Sequence, residues 1–190
     1  MRFIIIYGSV RESRLGIRAA RLVERTVRER NHTPVLIDPA EYDFGLLERM
    51  YKEYPRGEAP EKMEALAEHI GSAHGVIVVS AEYNHAPPAA LTNLMSHFLE
   101  EWRFKPCLIT TYSAGSFGGV RAGVQLRSFI GELGMVSVSR MIPFPNIGSF
   151  SEAGVPGDER ASADLTKGLV ELEWYADALK RKRDADGPAY

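Results

Sequence analysis

The run Gly75-Val76-Ile77-Val78-Val79-Ser80-Ala81-Glu82-Tyr83-Asn84-His85-Ala86-Pro87-Pro88 decides the architecture. Its first half is an unbroken series of β-branched residues, which suits a short strand covered on both faces. The chemistry then changes abruptly to acid, phenol, amide and imidazole, and two prolines open the next segment. Leu91, Leu94, Met95, Phe98 and Leu99 follow at three- and four-residue spacing, the apolar stripe of an amphipathic helix. In an open α/β sheet, a turn beyond a strand's carboxyl end is where ligands dock.

The same unit recurs along the chain. Strands are predicted over residues 2–7, 34–37, 75–80, 107–112 and 136–139, each short and rich in Ile, Val or Thr. Helices are predicted over 15–30, 60–72, the stripe from Leu91, 120–133 and 165–183. In the first, Ile17, Ala19, Ala20, Val23 and Val27 gather opposite arginines and glutamates. Five βα units in this order predict an α/β fold, a doubly wound three-layer sandwich with right-handed crossovers. Chemistry after strands one, three and four fits the flavodoxin-like arrangement, a five-stranded parallel sheet of order 2-1-3-4-5. Residues 1–183 form one domain in this reading, and the tail from 184 to 190 is expected to fray. Two irregular stretches, 38–59 and 143–160, are long enough to suggest lids or partner contacts.

Composition narrows the function. At 45% apolar and 25% charged residues, the 190-residue chain is that of an ordinary globular protein. A net charge of −2 gives no electrostatic case for nucleic acid or an anionic membrane as partner. Cys107 is the only cysteine, so no internal disulfide forms and a reducing compartment, the cytoplasm, is expected. The apolar run at 3–7 is too short for a signal segment or a membrane span. His32, His69, His74, His85 and His97 lack metal-ligand spacing, so no metal is expected. The basic cluster 180–183 reads as a helix C-terminus complementing its dipole.

Three turns carry the chemistry. The first, Gly8-Ser9-Val10-Arg11-Glu12-Ser13-Arg14-Leu15-Gly16, joins a buried strand to a helix start, a setting that favours anions. It matches neither the dinucleotide fingerprint nor the P-loop, which points to a terminal monophosphate held by Ser9, Arg11, Ser13, Arg14, Leu15 and Gly16. Taken alone, it reads equally as a capped helix with its arginines in water. In the second turn, Glu82, Tyr83, Asn84 and His85 suit a flat heterocycle: a phenol can lie on the ring and an amide can bond its edge. His85 either touches the ligand or is a solvated turn residue. The third turn offers Ser113, Ala114, Gly115, Gly118 and Gly119, whose backbone can approach a carbonyl-rich ring edge closely. No side chain is assigned as a catalytic acid or base.

Together these residues resemble the NAD(P)H-dependent FMN reductase family, which includes quinone, azo-dye and chromate reductases. The resemblance rests on Gly8-Ser9-x-Arg11 with Gly16, on Glu82-Tyr83-Asn84 with Pro88, Leu91 and Asn93, and on Gly118-Gly119 with Arg121-Ala122 and Leu126-Arg127. It runs in order from Met1 to about Gly148. Three positions depart from the family pattern: Ala81 stands for proline, Thr92 for lysine and Ser96 for aspartate. The resemblance implies bound FMN, with its phosphate in the first turn and its ring flanked by the second and third, and NAD(P)H as co-substrate. It also implies ping-pong hydride transfer to a small-molecule electron acceptor: a quinone, azo compound, metal oxyanion or free flavin. A homodimer or homotetramer is expected, with the helix after the second turn at the subunit contact. The competing reading is an electron-carrier or redox-sensing module without turnover. The near-neutral charge favours the enzyme, since carriers of this fold dock through strongly acidic surfaces.

Overall fold

A computed structural model describes residues 1–187 and 189. The chain alternates strands and helices: β1 (Arg2–Tyr7), α1 (Ile17–Glu29), β2 (Thr33–Ile37), α2 (Glu61–Ser72), β3 (Gly75–Ala81), α3 (Ala89–Ser96), β4 (Pro106–Tyr112), α4 (Val120–Glu132), β5 (Val136–Phe144) and α5 (Glu159–Asp186). The strands form one parallel sheet in the order β2-β1-β3-β4-β5, as expected. Side-chain alternation sorts the core into two layers. Phe3, Ile5 and Tyr7 face α1 and α5, whereas Ile4 and Ile6 face α2 and α3. Cys107 is fully buried, and burial pushes its thiol up to about 12, so it serves as a small apolar side chain.

The differences from the sequence reading lie at the margins. β5 runs on to Phe144, past the expected end at 139, because a bulge after Ser137 carries the strand through Arg140. β5 is an edge strand and tolerates Pro143 there. Glu171 of α5 accepts from the amides of Ser139 (2.7 Å) and Arg140 (3.2 Å), while Arg127 donates to the carbonyls of Val138 (3.1 Å) and Ser139 (2.6 Å). Side chains thus close the bulged part of the edge. α3 stops at Ser96, so Phe98 packs in the core from beyond the helix. α5 is helical through Asp186, so the first part of the tail expected to fray continues the helix; positions 188 and 190 lie outside the described residues.

Neither irregular stretch hangs free. In 38–59, Tyr42, Phe44, Tyr51 and Tyr54 pack on the core, and Asn93 holds Leu47 N and Gly45 O at 3.1 and 2.6 Å. The segment after β5 is strapped to α1 by arginines spaced along its face. Arg18 donates to Gly148 O and Phe150 O, Arg21 to Glu152 O, and Arg25 to Ala153 O and Gly154 O. Gly154, at φ 77°, lets this strap lie against the helix backbone: a Cβ there would sit 2.5 Å from Arg18 O.

Candidate functional site

The first turn is built around Ser9, which is fully buried just beyond β1. Its Oγ lies 2.6 Å from the Tyr83 hydroxyl and accepts from Arg11 N at 3.3 Å. The two arginines of the turn part company. Arg14 donates to both oxygens of Asp38 at 2.6 and 2.5 Å and to Ser9 O at 2.8 Å, with its guanidinium 5.3 Å from the Tyr7 ring centroid. The bond to Asp38 raises the Arg14 pKa still further. Arg11 is exposed, pairs with no carboxylate among the described residues, and lies 5.8 Å from the Tyr83 ring centroid. No side chain caps α1 at Gly16, and the amides of Ile17, Arg18 and Ala19 already bond the carbonyls of Arg14, Leu15 and Gly16 at 3.4, 3.1 and 3.0 Å, so an anion would be met by the turn ahead of the helix.

Below this turn Tyr112 donates to the Tyr7 hydroxyl at 3.2 Å, the two rings stacked at 6.2 Å. Burial drives the Tyr112 phenol far above its ordinary value, so it stays a neutral hydrogen-bonding group. A Cβ on Gly16 would lie 1.9 Å from Tyr112 Cζ. The glycine is therefore dictated by a neighbouring phenol.

In the second turn, Tyr83 and Ala86 exchange backbone hydrogen bonds, both 3.0 Å, while Asn84 (φ 53°) and His85 (φ 65°) are left-handed. That is a two-residue turn with positive φ at both centres, the type I′ geometry. Glu82 is structural. Its Oε2 accepts from Arg121 N (2.9 Å) and Ala122 N (3.0 Å), capping α4 from across the site. Gln125 of α4 returns a bond to His85 O at 2.7 Å. In the third turn Gly118 and Gly119 serve the protein's own packing. Both have positive φ (63° and 81°), and added Cβ atoms would fall 2.8 Å from Pro143 Cβ and 2.9 Å from Tyr112 O. The carbonyls of Ser113 and Gly115 accept from Ile147 N and Asn146 N, both at 3.0 Å.

All three turns meet at the carboxyl rim of the sheet. A cleft of ≈ 190 Å³ is lined by Ser9, Arg11, Ser13, Arg14, Leu15 and Gly16 from the first, Glu82 and Tyr83 from the second, and Ser113 and Ala114 from the third. Asn84, His85, Gly115, Gly118 and Gly119 do not line it. Ala81, Tyr112 and Ile147 do, and were not anticipated as site residues. Tyr112 ends the strand predicted over 107–112, one place before Ser113; Ile147 lies in the irregular stretch 143–160, which folds back to the rim. The donor set suits a phosphate monoester: the Ser13 hydroxyl and the Arg11 guanidinium, which pairs with no carboxylate among the described residues, with Asp38 and Glu82 both engaged elsewhere.

A doubly wound sheet with an anion-ready cleft at its switch point defines the class of flavodoxin-like nucleotide-binding proteins. A family model for NADPH-dependent FMN reductases matches residues 1–147, and the chain belongs to that family. An NAD(P)H-dependent FMN reductase of Schizosaccharomyces pombe is 29% identical over 183 residues, covering 90% of this chain and 85% of its own length. A quinone reductase of Escherichia coli is 30% identical over 137 residues, 68% of this chain and 69% of its own. Among solved structures, the flavoenzyme NAD(P)H:(acceptor) oxidoreductase FerB of Paracoccus denitrificans superposes with a TM-score of 0.71 at 19% identity, covering 95% of this chain and 97% of that one. Family membership makes the chain a flavin-dependent oxidoreductase using FMN and NAD(P)H. Among the described residues no helix is long and apolar enough to cross a membrane.

Proposed function

We propose that the protein oxidises NAD(P)H and passes the electrons to a small acceptor (quinone, azo compound, metal oxyanion or free flavin) in a ping-pong cycle. The observation that carries this reading is the single cleft lined by residues of all three turns. FMN held there would supply the two-electron hydride chemistry between nicotinamide and acceptor. The chain's part is to hold and orient. Arg11, Ser13 and the turn ahead of α1 would grip the phosphate, while Tyr83, Ser113 and Ala114 would flank the ring. At ≈ 190 Å³ the cleft is smaller than a fully enclosing ligand pocket of about 300–1,000 Å³, so it seats the phosphate end and leaves one ring face open. Nicotinamide and acceptor would use that face in turn. The 38–59 segment is proposed to border it, and α3 to carry a subunit contact in a homodimer or homotetramer.

Arg11→Ala is expected to weaken FMN binding at least ~10-fold, the scale of one lost charge-assisted hydrogen bond, with unchanged thermal stability. Full flavin occupancy in that variant would overturn the phosphate assignment. Initial rates at several acceptor concentrations should give parallel double-reciprocal lines; intersecting lines would exclude ping-pong order. A protein that holds flavin yet fails to oxidise NAD(P)H with quinone or ferricyanide would be a carrier or sensor instead.

A further inference from the structure

The exposed face of α5 carries a second organised surface, far from any residue assigned above. The helix turns Leu165, Gly168, Leu169, Leu172 and Ala176 into the core. The opposite stripe therefore contains Lys167, Val170, Trp174 and Asp177. Val170 and Trp174, one turn apart, leave 50% and 68% of their surface exposed. Tryptophan at that exposure is unusual for a surface with no partner. The two residues border a groove that α5 forms with Ser139 and Arg140 of β5.

The charges around this pair are arranged with a symmetry. Equal steps either side of Leu172 relate Val170 to Trp174 and Lys167 to Asp177. If a second α5 is laid antiparallel on this exposed face, with a two-fold axis outside the helix at the height of Leu172, each of these four residues lies across from its relation on the partner. Indole then meets valine at the centre, and Lys167 meets Asp177 on either side. Moving the axis to Trp174 would set Lys167 against Arg181, so the charges select one register. We propose that this face is an isologous interface for a second copy of the same chain.

Two further features favour helix-on-helix docking here. The present partners of these charges are exposed neighbours on the same helix: Lys167 with Asp164 at 3.0 Å and Asp177 with Arg181 at 2.5 Å. Such pairs are weak, so exchanging them for intermolecular ones costs little. The adjacent sheet edge is closed around Ser139 by Glu171 and Arg127, which disfavours pairing strand to strand. The interface is independent of the flavin reading and of the α3 contact. Two such two-folds on one chain would build a four-chain assembly.

Sedimentation of the flavin-loaded protein tests this. Trp174→Glu should halve the assembly mass at equal concentration; an unchanged mass overturns the proposal. Lys167→Asp and Asp177→Lys should each halve it as well, by opposing like charges. Mixing these two variants should restore it, because one chain then offers aspartate at both stations and the other lysine. The double variant Lys167→Asp/Asp177→Lys should assemble like the wild type. Single swaps that sediment as the wild type does, or a mixture that fails to reassociate, would refute the register.

Discussion

The phenol of Tyr112 fills the space in which a side chain on Gly16 would begin, with Cζ 1.9 Å from the ideal Cβ position. The end of β4 is thereby keyed into the start of α1, and the first and third turns cannot shift independently. Gly16→Ala must expel the ring, which also loses its bond to Tyr7. Overpacking of this kind costs about 1–3 kcal/mol, and FMN affinity is expected to fall with it. Adding Tyr112→Val to Gly16→Ala should recover much of both losses, as read by thermal melts and flavin titration. No recovery would show that the two residues act separately.

The arginines of the first turn should behave oppositely. Arg14 is three-quarters buried against Asp38, and removing one partner of a buried pair costs about 3–5 kcal/mol, the low end fitting this partly exposed site. Arg14→Met should therefore lower stability even without flavin, whereas Arg11→Ala should not. Urea unfolding of the apoproteins separates them. Asp38→Asn sharpens the point: if Arg14 were the phosphate ligand, freeing it would tighten FMN binding, while a scaffold role predicts weaker binding.

Glu82 joins the second turn to α4 through two backbone amides. Glu82→Ala should cost about 0.5–2 kcal/mol, the usual value of a helix cap, and speed hydrogen exchange at Arg121 and Ala122. Glu82→Gln keeps an acceptor and should lose less.

Lys105 lies buried at the far end of the sheet, donating to Glu101 O at 2.8 Å. Burial, reinforced by Arg183, pulls its pKa from 10.5 down to about 8. The folded state thus binds this proton less tightly than the unfolded chain. Below about pH 8 the folded protein bears the full cost of a buried charge. Between about 8 and 10.5 the unfolded state holds more protons, so this group's contribution to stability rises with pH. Lys105→Met should raise stability at pH 7 by up to roughly 3 kcal/mol and abolish that rise; chemical denaturation from pH 7 to 10.5 reads both.

The sheet was legible because β1, β3 and β4 are buried on both faces and announce themselves as unbroken apolar runs. β5 was only half legible: one face is wet, and its bulge breaks the alternation that would have extended the strand. At the site, residue types pointed to the right rim but not to what each residue does there. Arg11 and Arg14 look alike in sequence, and what separates them is an aspartate 24 residues away that folding brings alongside. Glu82 lines the cleft as the turn suggested, and its bonds to two backbone amides of α4 are what no sequence pattern displays. The glycines at 118 and 119 were read as allowing close approach to a ring, and Gly16 as part of the phosphate turn; at all three an added Cβ would also meet the protein itself.

Arg18, Arg21 and Arg25 grip the 148–154 strap by its carbonyl oxygens alone. Every amino acid offers that same handle, so, apart from Gly154, the buried Phe150 and Ser151, whose hydroxyl accepts from Val155 N, residues there can be exchanged without loosening the clasp. The stretch that follows Ile147, the cleft's own lining residue, thus has a held course but largely unfettered lettering, giving evolution or an engineer room to vary the approach to the cleft while the framework stays still.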